Sequence, residues 1–378
     1  MVAILHAVGD VGPDREDPRQ CFALARGTLR TADLGFCQLE VNLTTRGVRM
    51  PQARHTGRAV PASAAAMRDA GFDVVSFAGN HCMDWGPDGL FDTMENLRAA
   101  GLHVVGVGAD INAARAPVFR EVNGTRIAFV AYSSILPEGY WATDARAGCA
   151  PMRAHTHYEQ IEADQPGTPP RVHTWAHRSD LEAMRRDVTA AKARADVVVA
   201  SLHWGIHFVP GVLAHYQKEV AYAAIDAGAD LILGHHAHIL KGIEIYRGKA
   251  IFYSLGNFAI DLRMTPAHAA SQGFREIQAL SPEWVPNFDS LYNFPPDSRM
   301  TGILRAVLAN SGVTDLVFLP ALINDNAQPE VLRSGDPRFT RVHDYLQWCC
   351  ASQGLSTTLQ PHDEGIRIVV PEADYSRV

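Results

Sequence analysis

The amino-acid sequence predicts an α/β fold in which short buried strands alternate with amphipathic helices. Three observations carry this prediction: the apolar runs have strand length, helix-like segments separate them, and glycines stand where several of those helices end. We expect strands at Ala3–Val8, Leu34–Leu39, Val74–Ala78, Val104–Val107, Ile127–Tyr132, Val197–Leu202, Leu231–Leu233 and Ala250–Ser254. We expect helices at Pro61–Ala70, Gly89–Ala100, Asp180–Ala193 and Gln217–Ala227.

Gly71, Gly101 and Gly228 directly follow three of these helices. Glycine adopts the left-handed conformation that ends a helix without steric cost. A new strand follows each glycine, as a compact helix-to-strand connection requires. Two regions lack the alternation, about 136–179 and about 262–350, where prolines and aromatic residues are scattered with little periodicity. A long segment of this kind is typically a lid, a binding loop or an insertion.

The composition is that of a globular chain, with 47% hydrophobic and 20% charged residues. The net charge is 34 − 41 = −7, which argues against a broad surface for nucleic acid. No apolar stretch approaches the ~18 to 20 residues of a membrane span, and residues 1–10 resemble a first strand rather than a signal peptide. The 6 cysteines form no CxxC pair, which favours a reduced chain. We therefore expect a cytoplasmic protein without nucleic-acid or membrane partners, and a homo-oligomer is compatible with the sequence.

Five short polar motifs stand at or just after the ends of predicted strands, where α/β sheets present their ligand sites. They are Gly9-Asp10, Gln38-Leu39-Glu40, Gly79-Asn80-His81, His203-Trp204-Gly205 and Gly234-His235-His236-Ala237-His238. Each motif alone has a structural explanation, as a helix cap, a turn or a hydrogen-bonded strand end. Together, carboxylate, amide and imidazole groups suit Mn, Fe or Zn better than Ca²⁺. A carboxylate that bridges two ions ~3.5 to 4 Å apart would form a two-metal site for activating water.

Four longer runs resemble the CapA family (poly-γ-glutamate capsule synthesis) of the calcineurin-like metallophosphoesterase superfamily. They are Gly71–Gly86, Ala195–Gly205, Gly228–His238 and Phe252–Phe258. The resemblance covers roughly residues 3 to 261. It implies an α/β (α+β), four-layer calcineurin-like metallophosphoesterase fold, with a central β-sandwich flanked by helices and two divalent metal ions (Mn, Fe or Zn) at the strand ends.

The resemblance also implies a division of the chain and a set of functional residues. Residues 1–261 would form the catalytic core, with 136–179 as an insertion or lid, and 262–378 an irregular C-terminal extension that packs on the core and completes it. The implied metal ligands are Asp10, Glu40 (the bridging position), Asn80, His203, His236 and His238. His235 is either a ligand or a neighbour of one, because the histidine motif contains two registers.

His81 follows the ligand Asn80, and the resemblance implies that it donates a proton to the leaving group or stabilises developing charge. Asp84 either orients His81 by a hydrogen bond or caps the following helix. Asn257 and Tyr253 line the pocket or form a structural turn. Candidate substrate contacts in the 136–179 segment are Tyr140, Trp141, Arg146, Arg153 and Trp175, with an exposed aromatic loop as the alternative.

Two positions depart from the family pattern. Phosphoesterases typically begin with Asp-x-His, but Gly12 occupies the histidine position here, so the first metal loses one ligand. Gln38 stands where the CapA branch usually has asparagine, which alters a hydrogen bond beside the metal ligands.

The metal site implies hydrolysis by an activated water but does not name the bond, because fold alone does not determine function. We expect a cytoplasmic hydrolase of a small-molecule amide, ester or phosphoester. The alternatives are a poly-γ-glutamate synthesis or processing protein, a phosphatase or phosphodiesterase, and a non-catalytic polymer-assembly factor.

Overall fold

The computed structural model describes residues 2–54 and 56–370. Its strands are β1 Val2–Gly12, β2 Leu34–Leu39, β3 Asn42–Leu43, β4 Arg58–Ala59, β5 Val74–Ser76, β6 His103–Val105, β7 Val107–Gly108, β8 Val118–Val122, β9 Thr125–Ser133, β10 Gly148–Cys149, β11 Ala154–Glu159, β12 Arg171–Ala176, β13 Val197–His203, β14 Leu231–His235, β15 Ile243–Tyr246, β16 Lys249–Phe252, β17 Asn257–Ile260, β18 Met300–Ala309, β19 Gly312–Ile323, β20 Pro329–Val331, β21 Thr358–His362 and β22 Gly365–Val369. Its α-helices are α1 Arg26–Leu29, α2 Ser63–Ala70, α3 Gly86–Ala99, α4 Ile111–Arg115, α5 Arg178–Lys192, α6 His215–Asp226, α7 Pro266–Ala269, α8 Gln272–Gln278 and α9 Pro337–Ser352. Pro18–Phe22 and Pro296–Arg299 form 3₁₀ helices.

Two sheets face each other across one hydrophobic core. The first sheet runs β21-β22-β19-β18-β1-β2-β5-β6, with β17 joining β1 and β20 joining β19; the second runs β15-β16-β14-β13-β9-β8. Phe36 of the first sheet stacks on Phe129 of the second, with ring centroids 5.6 Å apart. Helix α3 packs beside β6, and α5 packs on β9 and β13. The predicted α/β fold, with facing sheets flanked by helices, is confirmed.

The central strands of both sheets are parallel, so their carboxyl ends lie together at one edge. In the first sheet β1, β2, β5 and β6 are parallel, and in the second β9, β13, β14 and β16 are parallel. Every residue of β13 is buried, as expected for a parallel strand that is covered on both faces. Gly71, Gly101 and Gly228 have φ angles of 113°, 82° and 116°, as predicted for glycines that end helices.

The prediction that residues 262–350 are irregular is wrong for much of that region. β18 and β19 form a long antiparallel hairpin, and β18 pairs with β1 along Val2–Ala7, so this hairpin lies in the middle of the first sheet. Helix α9 follows at Pro337–Ser352. Pro320 lies inside β19 opposite Gly302, and a proline ordinarily argues against a central strand, which explains why the sequence did not indicate one.

Residues 136–179 are not structureless either. β10 pairs with β7, and β11 pairs with β12 in an antiparallel hairpin. Most residues of β11 are exposed, so the strand lacks the alternation of polar and apolar residues by which strands are recognised. Within the described ranges, no helix combines the length and apolar character needed to cross a membrane.

Candidate metal centre

The polar residues at the strand ends of the two sheets converge on one buried point. Asp10 lies near the end of β1, Glu40 directly follows β2, and Asn80 lies in the loop after β5. From the opposite sheet, His203 ends β13 and His235 ends β14. Glu40 Oε1 lies 3.1 Å from His203 Nδ1, and His203 Nε2 lies 2.7 Å from Asn80 Oδ1. The two sheets thus contribute oxygen and nitrogen groups to a shared centre.

Asp10, Glu40 and His203 form a compact group at this centre. Each offers a ligand atom, and these atoms all lie within 4.8 Å of one another. All three side chains are buried, and Asp10 and His203 are 0% exposed. Because a buried charge needs a partner, this arrangement is typical of groups that bind a cation.

Many polar atoms at the centre have no hydrogen-bond partner among the described residues. They are Asp10 Oδ1, both carboxylate oxygens of Glu40, His203 Nδ1, His236 Nδ1 and both ring nitrogens of His235. A buried polar group without a partner costs about 1 to 3 kcal/mol, and native proteins contain few of them. A divalent ion would satisfy these atoms, and a mixture of carboxylate and imidazole donors fits Mn, Fe or Zn. The residues present therefore fit a metal.

The electrostatics of the two carboxylates differ. Burial alone would raise the pKa of Asp10, but the adjacent imidazoles of His235 and His238 outweigh burial and hold that pKa below its ordinary value. Burial raises the pKa of Glu40 well above its ordinary range, and the charges of Asp10 and Asp84 raise it further. Without a cation Glu40 is therefore costly to ionise, and a bound cation would remove that cost.

Burial lowers the pKa of the central histidines. The pKa values of His203 and His236 both lie well below the ordinary histidine value, with burial as the largest cause. Both imidazoles are therefore neutral near pH 7, and a neutral imidazole offers the lone pair that a metal requires.

The turn after β14 brings three histidines to the centre. His236 and His238 have positive φ angles of 83° and 58°, a conformation that is unfavourable for residues other than glycine and that tends to occur at functional sites. His235 Nδ1 and His238 Nδ1 lie 3.4 Å from Asp10 Oδ1 and Oδ2, respectively. His238 Nδ1 also lies 2.7 Å from Asn257 Oδ1, which fixes the orientation of its ring. The structure thus brings His235 as close to Asp10 as His238.

His81 lies beside the candidate metal ligand Glu40, and its side chain is 21% exposed. Its Nε2 is 3.9 Å from Glu40 Oε2, and its Nδ1 is 2.7 Å from Asp84 Oδ2. The residue that precedes α3 is Trp85, which makes no capping hydrogen bond through its side chain. Of the two roles open for Asp84 from the sequence, the structure shows the hydrogen bond to His81.

Several residues that the sequence singled out lie elsewhere. Tyr253 is buried, and its hydroxyl donates to Glu244 Oε2 at 2.6 Å, so its side chain belongs to the packing of β15 and β16. The Arg146 and Arg153 guanidinium groups lie over the ring of Trp141, at 5.6 and 5.3 Å from its centroid.

Arg153 is also paired with Asp180 at 2.7 Å. Trp175 is 46% exposed on the β11–β12 hairpin. Of the candidate substrate contacts, Tyr140 is the one that the structure links to the centre, through a hydrogen bond of 3.0 Å to Asp84.

Sequence reasoning missed His207, whose ring centroid lies 3.9 Å from that of His236 and 5.0 Å from that of His238. Its Nε2 has no partner in the described structure, and burial lowers its pKa well below the ordinary value. Its position four residues after His203, in the loop after a strand, could have indicated it. Phe294 was also missed; its ring lies 4.9 Å from that of His238 and comes from the region predicted to be irregular.

The structure shows what surrounds Gly12 and Gln38, the two positions that depart from the family pattern. A Cβ atom at Gly12 would lie 2.9 Å from a side-chain carbon of Ile260, so a histidine would require Ile260 to move. Gln38 Nε2 donates to the carbonyl of Ala78 at 3.3 Å, so this amide ties β2 to the loop that carries Asn80.

Fold and site together define a two-sheet α/β protein with a buried carboxylate–histidine centre that suits divalent metals. The chain belongs to the family described as bacterial capsule synthesis protein PGA_cap, whose model matches residues 4–262. The family predicted from the sequence motifs is therefore confirmed.

Two curated relatives illustrate this membership. The chain is 33% identical over 196 residues to the PGA biosynthesis protein CapA of Bacillus subtilis. This alignment covers 52% of this chain and 44% of the relative. It is 33% identical over 197 residues to the capsule biosynthesis protein CapA of Bacillus anthracis, which covers 52% of this chain and 42% of the relative. The chain thus spans less than half the length of these relatives.

Solved structures show more distant similarity. The calcineurin-like phosphoesterase YfkN from Bacillus subtilis aligns with 92% of this chain and 98% of its own, at 13% identity and a TM-score of 0.44. A hypothetical protein from Thermus thermophilus aligns with 84% of this chain and 98% of its own, at 16% identity and a TM-score of 0.44.

Proposed function

We propose that this protein is a hydrolase that depends on two divalent ions (Mn, Fe or Zn) and acts on a small-molecule amide, ester or phosphoester. The buried group of Asp10, Glu40 and His203 carries the proposal, because its ligand atoms are already close together and several of them lack hydrogen-bond partners. Each unpaired atom costs about 1 to 3 kcal/mol in the absence of a ligand. An assembly scaffold would gain nothing from unpaired buried donor atoms. A metal enzyme needs such atoms, because they are the ones that bind the ions.

The residues that would hold the ions are Asp10, Glu40, Asn80, His203, His236 and His238, with His235 as a further donor. Divalent ions held by these residues would supply Lewis acidity and would activate a water molecule for hydrolysis. The two sheets hold the donor groups on rigid strand ends, which keeps the groups in place during the reaction. Neutral His203 and His236 contribute lone pairs, since burial holds their pKa values low.

His81 is the proposed general acid. Its Nδ1 is engaged with Asp84 at 2.7 Å, so its Nε2 is the ring nitrogen left to face the centre. A proton on Nε2 is therefore placed to pass to the leaving atom as the scissile bond breaks. General acid catalysis of this kind contributes about 10²- to 10⁴-fold to a rate.

A second candidate is processing of poly-γ-glutamate, an amide-linked polymer. Family membership favours this candidate, because the matching relatives are named for capsule and PGA biosynthesis. A phosphatase or phosphodiesterase would use the same centre on a phosphoester. The cytoplasmic location expected from the sequence stays a prediction.

A metal-dependent screen of substrate classes tests the proposal. The purified chain is loaded with Mn²⁺, Fe²⁺ or Zn²⁺ and assayed with aryl phosphates, diaryl phosphates, aryl esters, aryl amides and oligo-γ-glutamate. We expect hydrolysis of one class that requires added metal and is lost in Asp10→Ala and His81→Ala. Metal analysis of the dialysed protein provides the second measurement. Binding of less than about half an ion per chain, in a structure whose ligands are preassembled, would exclude the metal enzyme.

A further inference from the structure

Tyr140 lies in the segment between β9 and β10 and is fully buried at 0% exposure. The fold holds its backbone on both sides: its N–H donates to the Pro137 carbonyl at 3.1 Å, and its carbonyl accepts from the Cys149 N–H at 2.9 Å. Cys149 belongs to β10, which pairs with β7. The ring of Tyr140 is therefore built into the folded structure and does not belong to an exposed loop.

The Tyr140 hydroxyl donates to Asp84 Oδ1 at 3.0 Å, and Asp84 Oδ2 lies 2.7 Å from His81 Nδ1. Asp84 is 2% exposed, so few other donors can reach it. Burial, and then the charge of Asp84, raise the pKa of Tyr140 above its ordinary value, so the phenol stays protonated and acts as the donor. Each oxygen of the Asp84 carboxylate thus has one partner, Tyr140 on one side and His81 on the other.

We propose that Tyr140 is a positioning residue for the acid His81 and acts through Asp84. This inference rests on the proposed function. A carboxylate held at one oxygen can rotate, whereas the Tyr140 hydroxyl holds Asp84 with Oδ2 aimed at His81 Nδ1. The ring of His81 then keeps its Nδ1–H toward Asp84 and its Nε2 toward Glu40, at 3.9 Å from Oε2. Hydrogen-bond networks of this kind orient catalytic groups in low-dielectric sites.

The proposed role has a defined place in hydrolysis. Attack by water forms one bond at the scissile centre, and the bond to the leaving atom breaks with its electron pair on that atom. A proton carried on His81 Nε2 passes to the leaving atom, and Nε2 takes up a replacement proton from solvent. The contact between His81 Nδ1 and Asp84 is kept throughout, so the ring holds its orientation.

Tyr140→Phe tests the inference on the metal-loaded enzyme. A leaving group of high pKa needs protonation as it departs, whereas a nitrophenolate does not. We therefore expect kcat to fall by about 10-fold for an alkyl leaving group and by less than about 2-fold for nitrophenol, with KM and metal content unchanged. Tyr132→Phe is the matched control, because Tyr132 is also buried and also donates to an aspartate, Asp187, at 2.9 Å. We expect no dependence on the leaving group in that variant.

A double-mutant cycle separates positioning from a structural role. If Tyr140 acts through His81, then Tyr140→Phe costs nothing further in the His81→Ala background. Equal loss of kcat for all leaving groups, or additive loss in the double variant, would overturn the inference.

A measurement without substrate keeps the two proposals distinguishable. In zinc-loaded protein with ¹⁵N-labelled histidine, we expect the His81 resonance, assigned with His81→Ala, to show a protonated Nδ1 and to change in Tyr140→Phe. An unchanged His81 resonance overturns the role of Tyr140, whether or not the enzyme is active. Absence of activity on every substrate, with the expected change at His81, overturns the proposed function alone.

Discussion

The chain has two concentrations of histidine with different surroundings. The central histidines, at the strand ends, are His203, His207, His235, His236 and His238; the hairpin histidines, on or beside β11 and β12, are His155, His157, His173, His177 and His215. Ring spacings overlap, at 3.9 to 6.0 Å in the centre and 5.3 to 6.3 Å on the hairpin. Spacing therefore does not distinguish the two clusters.

Burial and hydrogen bonding do distinguish them. In the hairpin cluster, His173 Nε2 lies 2.7 Å from Glu159 Oε2, and His177 Nδ1 lies 3.3 Å from Asp180 Oδ1, so these rings already have partners. In the centre, His203 and His235 are 0% exposed and carry ring nitrogens without a partner. A metal centre is thus indicated by buried donor atoms that the protein itself leaves unsatisfied, and a high histidine count alone is not sufficient.

The largest effect should follow from Glu40→Gln, which removes the carboxylate proposed to bridge the ions and keeps its size. We expect turnover to fall at least about 1000-fold, equal to ~4 kcal/mol, because Gln cannot supply the negative charge that two cations require. The metal-free protein should instead become more stable, by about 0.5 to 2 kcal/mol, because the neutral amide removes a carboxyl whose pKa is raised by burial. A steady-state assay with the responsive substrate class and denaturant unfolding in chelator measure the two effects, and titration calorimetry with Mn²⁺ measures the expected loss of metal affinity.

Glu159→Gln makes the same chemical change on the hairpin and serves as the control. We expect unchanged metal binding and turnover in this variant. Wild-type metal affinity in Glu40→Gln would contradict the assignment of Glu40 as a ligand.

A histidine outside both clusters, His6, tests the effect of burial on a histidine pKa apart from any effect of metal binding. His6 in β1 is 2% exposed, and burial lowers its pKa from 6.5 to about 4. Since the folded pKa is below the unfolded one, the contribution to stability is complete above pH 6.5 and is lost as the pH falls toward 4. The loss amounts to about 3 kcal/mol.

His6→Gln should flatten this pH dependence. The measurement is the free energy of unfolding of chelator-treated wild type and variant, between pH 7 and pH 4. Parallel pH profiles for the two proteins would show that His6 does not titrate as the structure indicates.

The stability that the wild type gains on binding metal should be smaller than the stability lost at His6 at low pH. At a free metal concentration of 100 times Kd, binding to the folded state alone adds ~2.7 kcal/mol. The double substitution His157→Ala with His173→Ala should leave that increment unchanged and alter the metal-free stability by no more than about 0.5 kcal/mol. Thermal unfolding with and without Zn²⁺ measures both values, and loss of the increment in this variant would place the metal on the hairpin.

Asp10, Glu40 and His203 lie together in the structure because each stands at or beside the end of a buried strand, a position that the sequence already indicated. Asp10, Glu40 and His203 need only the parallel arrangement of strands to meet. The partner of Tyr140 was not predictable, because the hydrogen bond to Asp84 joins positions 56 residues apart in the chain.

The sequence pattern did not predict the strands whose composition is unusual for a strand. β19 contains Pro320, and a proline ordinarily argues against a central strand. β11 has polar residues on both faces, so it lacks the alternation of polar and apolar residues expected of a strand. Tyr253 also stands next to a strand end, but its hydroxyl donates to Glu244 of β15, which the sequence did not indicate.

The pairing of β1 has a consequence for how the protein folds. β1 carries Asp10, and its neighbours are β2 on one side and β17 and β18 on the other, so residues 2–10 pair with residues as distant as 309. Contacts between residues so far apart in the chain form slowly, because a long loop must close before they are made. During synthesis, β1 therefore waits with one edge unpaired until residues 257–309 have left the ribosome. The candidate metal centre includes Asp10 of β1, so we expect it to be completed late in folding, and until then the open edge of β1 is where association with other chains would begin.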